Sequence, residues 1–275
     1  MGTSILKGLL KETRGAEDGL ELSYTACVRS EASLDRLRSA LGDRASAVHC
    51  QIADFTEAVK KADIVMLGVP PGELESITKT TGLAQAIQGK LIVSLLAGVT
   101  CTQVAYALSS NPESGNHQDF ESNIARVIPT IAAQVRDSVT LIAESKALRH
   151  EQQQLCTTLF EQIGATQLIP EALMNEATAL GAVCHAVAIC AVDSAVDASV
   201  AKGLPRAAAL SLAANSLRSA AGLLGGEMTS EELKAAMSVP SGITINSVLK
   251  LDRANMRFAV ADAVGEAIDY TRSMA

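Results

Sequence analysis

Over the first 168 residues, short apolar runs alternate with stretches whose apolar positions recur every three to four residues. The runs 20–28 (LELSYTACV), 63–69 (DIVMLGV), 90–98 (KLIVSLLAG), 123–129 (NIARVIP), 138–145 (SVTLIAES) and 165–170 (ATQLIP) predict strands. The stretches 30–41, 72–87, 100–108 and 148–164 predict helices, the first of them capped by Ser30. Two of the runs, DIVMLGV and KLIVSLLAG, are apolar without alternation, which is the mark of strands covered on both faces. The pattern therefore predicts an α/β domain, a Rossmann-like, doubly wound parallel sheet flanked by helices, over residues 1–168.

Beyond Pro170 the strand signal stops. Residues 172–202 form one long Ala-rich helical pattern, closed by Gly203-Leu204-Pro205, and further helical patterns follow at 205–226, 229–239, 242 onward and 255–275. A helix that is apolar nearly all round needs to be buried, and a small helical domain has little interior to offer it. The expected second domain, 169–275, is thus all-helical and dimerising.

The N-terminus itself is patterned. Gly2 is followed by Ile5, Leu6, Leu9 and Leu10 at helical spacing, so an amphipathic helix starts at the chain's first residues. In a dinucleotide-binding fold such a helix follows a strand and a glycine-rich turn. The expectation is that the strand and the first two glycines lie upstream of Met1.

Composition narrows the functional classes. Of the 275 residues 48% are hydrophobic and 19% charged, tryptophan is absent, and the net charge of −7 gives no footprint for nucleic acid or an anionic membrane. The six cysteines lie scattered in apolar surroundings with no Cys-x-x-Cys pair, so no metal site is expected, and a reducing, cytoplasmic setting is. No basic leader followed by an apolar stretch is visible, and the most apolar segment carries His185, Asp193 and Asp197, so no membrane span is expected. The polar stretch 109–122 reads as a surface loop.

Four places carry candidate chemistry. At the end of the second expected strand, Arg29 and Ser30 stand where an NAD-preferring domain places a carboxylate, and a guanidinium with a hydroxyl suits a 2′-phosphate, hence NADPH. The same pair reads equally well as a solvated arginine and a helix cap. Val69, Pro70 and Pro71 end another strand in a tight turn, and Ala97-Gly98 end the next, each fitting either a cofactor contact or a plain strand stop. In SVPSGITINSV, a helix break at Pro240-Ser241-Gly242 is followed by a new helix start. Free backbone N–H groups and the Ser241 and Thr244 hydroxyls there suit a carboxylate, and a plain helix connection explains the stretch too. His185 has the side chain for proton transfer near neutrality, but a lone histidine on an Ala-rich helix is more often a packing residue.

Taken in order, these stretches resemble the pyrroline-5-carboxylate reductases. MGTSILKGLL is similar to the end of the family's G-x-G-x-M-G-x-A-I-x-x-G-L, and ADIVMLGVPP to A-D-x-V-x-L-A-V-K-P. KLIVSLLAGVT is similar to L-x-I-S-x-A-A-G-V-T, RVIPTIAA to R-V-M-P-N-T-P-A, and KGLP with SVPSGITI to x-G-L-P and T-S-P-G-G-T-T-I. The resemblance spans the whole chain. It implies a Rossmann domain with a helical dimerisation domain, the active site lying between them in a homodimer, and NADPH reducing a cyclic imine carboxylate. It places Gly2, Thr3, Arg29, Ser30, Val69, Pro70, Pro71, Ala97 and Gly98 on the cofactor, Ser241, Gly242 and His185 on the substrate, and Thr244 on the ring nitrogen.

The departures cluster at the pocket. The family's S-G-S-G-P-A is Gly181 to Ala186 (GAVCHA) here, P-N-T-P is Pro129-Thr130-Ile131-Ala132, and P-G-G-T-T is Pro240-Ser241-Gly242-Ile243-Thr244. Two outcomes are compatible with that pattern. One is a reductase of pyrroline-5-carboxylate or a substituted pyrroline; the other is a reductase-like scaffold or partner subunit without redox activity.

Overall fold

In a computed structural model, which describes residues 1–10, 22–53, 55–109, 120–226 and 228–274, the apolar runs become strands. These are β1 (Tyr24–Val28), β2 (Val48–Ile52), β3 (Ile64–Leu67), β4 (Leu91–Ser94), β5 (Ile124–Ile128), β6 (Ser138–Glu144) and β7 (Gly164–Pro170). The first two residues of the 20–28 run and most of the polar 109–122 stretch lie outside the described residues. Strand β2 and the helix Phe55–Lys61 behind it were not expected from the pattern. VHCQI interleaves His49 and Gln51 with its apolar positions and never forms a continuous run. The expected single helix over 72–87 is two short ones, Leu74–Thr78 and Leu83–Ile87, divided at Gly82, whose φ of +75° ends helical geometry.

Strands β1 and β2 pair with each other, and β3-β4-β5-β6-β7 form a second ladder in that order. Every pairing is parallel except β5 with β6. The sheet is thus the expected parallel one with a single reversal: residues 129–137 join β5 to β6, and a parallel crossover needs about a dozen residues or more. Among the described residues β1 and β3 each pair on one edge alone, so the sheet is interrupted between them.

The larger ladder is packed on both faces. Ile92 and Ile124 sit with Val65, Leu67, Ile87, Val104 and Leu108 on one side. Val93, Ala125 and Val127 sit with Ile5, Leu9, Ile142, Phe160 and Ile163 on the other. Alternate residues of β4 and β5 thus feed opposite layers, the arrangement anticipated from their unbroken apolar runs. Helix Gly2–Leu9 reaches the second layer through Ile5, Gly8 and Leu9. Its contact is backbone-close: a Cβ on Gly8 would overlap the Ala133 carbonyl oxygen and lie 2.8 Å from Ile163 Cγ2.

The chain divides into two units, Met1–Thr178 with Thr271–Ala275, and Ala179–Tyr270. The helix Met174–Val200 starts in the first and runs through the second, which also holds Arg206–Leu224, Ser230–Ala236, Ile243–Arg253 and most of Met256–Ser273. Within the single chain this helix is exposed rather than buried, with Leu180 at 53% and Ile189 at 69% exposure. Residues 171–200 have a mean hydropathy of 1.8 in their most apolar window, of which 17% is buried. By length and composition alone they are apolar enough to cross a membrane, which the sequence expectation had ruled out on their charges.

Candidate functional site

In the first unit the candidate residues sit at the C-terminal ends of β1, β3 and β4, where parallel α/β sheets place their ligands. Ser30 caps the helix Glu31–Leu41, its hydroxyl oxygen accepting from the Ser33 N–H at 3.3 Å. Arg36 donates to the Ser33 hydroxyl at 2.9 Å, so a second cation joins the same helix end. Arg29 spans the interruption in the sheet. Its two terminal nitrogens meet both carboxylate oxygens of Glu73, at 2.7 and 2.9 Å.

Glu73 belongs to the turn that follows β3. Pro70 and Pro71 stiffen that turn, and the Glu73 N–H donates to the Pro70 carbonyl at 2.9 Å. Val69 is half-buried against the apolar layer beneath, Pro70 is exposed, and Gly72 has open space beside it. At the start of the first helix, Gly2 likewise faces open space. No side chain caps that end, so the Gly2 and Thr3 N–H groups have no partner among the described residues. Uncapped N–H groups at a helix start, an Arg-Ser pair at a strand end and glycines without neighbours make a set that fits a phosphorylated dinucleotide.

The turn at Ala97-Gly98 is occupied differently. Gly98 has φ +79°, and a Cβ there would lie 2.9 Å from the Thr271 carbonyl oxygen and from Met274 Cβ. The space beside this glycine is filled by the last turn of the chain's own C-terminal helix, and Ala97 is half-buried.

Next to that turn lies a buried polar cluster. Arg126, on β5 and 1% exposed, donates to Asn175 Oδ1 at 2.7 Å, and its Nε has no partner. Glu171 accepts from the Cys101 N–H at 2.8 Å. Burial draws the Arg126 pKa downward while the Glu171 charge opposes it. Burial, with Glu171 adjacent, pushes the Cys101 thiol well above its ordinary value, so it is a neutral packing group. The cluster fastens the beginning of helix Met174–Val200 to the ends of β4 and β5.

In the second unit, Gly242 caps helix Ile243–Arg253 with backbone alone. It must be glycine: a Cβ would lie 2.7 Å from Val239 Cγ2. Ser241 adopts a left-handed φ of +60°, unusual for a residue with a side chain. Among the described residues the Ser241 and Thr244 hydroxyls make no hydrogen bond, and no side chain takes the N–H groups of the first turn. That turn holds three of the candidate residues together. His185 lies elsewhere, on the long helix, with Nδ1 2.8 Å from the Gly181 carbonyl. It lines an open apolar cavity of about 490 Å³ with Ile189, Val192, Asp193, Arg206 and Leu210, none of them from the 241–244 turn.

Sequence reasoning missed Glu73, Arg126 and Gly8. The single charge inside the apolar run NIARVIP was a legible signal for Arg126; nothing marked Glu73 beyond its place after two prolines.

Comparison with known proteins bears on both units. Residues 171–274 match the family described as pyrroline-5-carboxylate reductase dimerisation. Residues 1–98 match the one described as NADP oxidoreductase coenzyme F420-dependent. A pyrroline-5-carboxylate reductase of Lophium arboricola is 34% identical over 283 residues, covering 97% of this chain and 88% of the relative. The Neurospora crassa enzyme of the same name is 33% identical with the same coverage. The crystal structure of Plasmodium falciparum pyrroline carboxylate reductase with NADP bound superposes with a TM-score of 0.79 at 18% identity, covering 100% of this chain and 94% of that one. At that identity the likeness is one of fold.

Proposed function

Because this chain belongs to the pyrroline-5-carboxylate reductase family, we propose that it reduces a cyclic imine carboxylate, pyrroline-5-carboxylate or a substituted pyrroline, with NADPH. The observation that carries the reading is the 241–244 turn: an uncapped helix start beside two unpartnered hydroxyls. The N–H groups at the start of Ile243–Arg253 receive the substrate carboxylate, aided by the helix dipole. The Thr244 hydroxyl hydrogen-bonds the ring nitrogen and so holds the proton that makes the imine carbon electrophilic. Arg29 and Ser30 hold the 2′-phosphate, and the Gly2 and Thr3 N–H groups face the diphosphate. When bound, NADPH supplies the hydride for the imine carbon.

The exposed apolar surface of the helical unit, Ile189, Leu210, Leu212 and Phe258 included, is covered by a second copy of the chain in this reading. The match of residues 171–274 to a dimerisation family supports that occupant over a lipid bilayer. Six free thiols among six cysteines support a reducing, cytoplasmic setting. Titrating the purified chain with NADPH and following its absorbance on adding pyrroline-5-carboxylate tests the proposal. Saturable binding with substrate-dependent oxidation supports it; binding without oxidation of any pyrroline carboxylate overturns the activity.

A further inference from the structure

We infer that Glu73 sets how strongly this chain prefers a 2′-phosphorylated over an unphosphorylated dinucleotide, by competing with the phosphate for the Arg29 guanidinium. The inference rests on the cofactor reading above, in which Arg29 and Ser30 at the end of β1 hold the 2′-phosphate. Both terminal nitrogens of Arg29 are engaged by both oxygens of Glu73, at 2.7 and 2.9 Å. That bidentate geometry is the one a phosphate uses on the same group. A phosphate arriving at Arg29 must displace the carboxylate or share the guanidinium with it, and sharing sets two anions side by side.

The pair is built to be displaced. The Arg29 side chain is 65% exposed and that of Glu73 30%, so solvent screens the bridge, and such pairs hold by no more than about fivefold. The carboxylate does not drift away when released, because the two prolines and the Glu73 N–H bond to Pro70 fix the turn from which it projects. Glu73 also supplies, from the β3 turn, the carboxylate that NAD-preferring domains place at the second strand end to accept from ribose hydroxyls. One place therefore offers an acceptor for a bare ribose and a donor for a phosphorylated one. Arg36, fastened through Ser33, adds positive charge on the phosphate's side of that balance.

The test is calorimetric binding of adenosine 2′,5′-bisphosphate and of 5′-AMP to the full chain, in the original sequence, Glu73→Gln, Arg29→Met and the double variant. Glu73→Gln is expected to tighten the bisphosphate by about two- to fivefold and to leave 5′-AMP unchanged or weaker. In the double variant the gain disappears, because it acts through Arg29. A Glu73→Gln chain with an unchanged ratio of the two affinities, or a gain that survives Arg29→Met, overturns the role of Glu73 and leaves the cofactor reading standing. If the original chain binds neither nucleotide at millimolar concentration while circular dichroism reports it folded, both fall.

Discussion

Replacing Gly8 with alanine tests the placement of the first helix. The added methyl would overlap the Ala133 carbonyl oxygen and sit 2.8 Å from Ile163 Cγ2, and Ala133 and Ile163 are both fully buried. The obstacle is backbone on one side and a β-branched side chain on the other, so neither yields by a rotamer change, and the helix must shift by about 1 Å. Overpacking of this kind costs about 1–3 kcal/mol, and a backbone clash belongs at the upper end. Alanine returns about 1 kcal/mol through its helix propensity, leaving a net loss of about 1–2 kcal/mol. At Gly222, in helix Arg206–Leu224, the same substitution meets nothing within 4 Å. There it is expected to stabilise by about 0.5–1 kcal/mol. Urea unfolding of the two variants should move in opposite directions, with melting temperatures shifting by about 2–4 °C per kcal/mol. A Gly8→Ala chain as stable as the original, or more so, would refute the close approach.

Thr244→Ala should lower turnover by about a hundredfold while leaving the melting temperature unchanged, since the hydroxyl has no partner among the described residues. Equal losses of rate and stability would assign it a structural role. Burial pushes the Cys156 thiol up to about 12, and Cys101 is raised as well. Both folded values exceed the unfolded one, so their stabilisation is complete below about pH 8.5 and is lost as pH rises, at up to about 1.4 kcal/mol per pH unit for each thiol. Urea midpoints at pH 8, 9 and 10 should fall accordingly, and less in Cys156→Ala; a flat profile contradicts the burial argument. Light scattering should give twice the 28.6 kDa chain mass, and Ile189→Asp should shift the mass toward one chain. A monomer at micromolar concentration in the unmodified chain would remove the second copy from the apolar face.

The two-part plan was legible because strands covered on both faces leave short unbroken apolar runs, whereas beyond Pro170 the apolar segments are Ala-rich and of helical length. Strand β2 was hidden because a half-buried strand beside polar residues carries little periodic signal in five positions. The reversal of β6 depended on connection length rather than on the strands themselves. Arg29, Ser30, Ser241 and Thr244 stood out as candidates because their chemistry is local to a strand or helix end. Glu73 was not, since its partner Arg29 lies 44 residues away and only the folded turn brings them together. Gly98 shows the opposite limit: its sequence context suggested a ligand, and the chain's own C-terminal turn stands there.

The interruption between β1 and β3 has a consequence for cooperativity. The β1–β2 ladder rests on a small apolar cluster of Leu37, Leu41 and Val48 with half-buried neighbours, whereas every residue of β4 is buried. Amide protons of Tyr24–Val28 should therefore exchange through a subglobal opening that leaves Leu91–Ser94 protected. If so, the arm bearing Arg29 can breathe as a separate foldon, and the ion pair to Glu73 is one of the latches that close it.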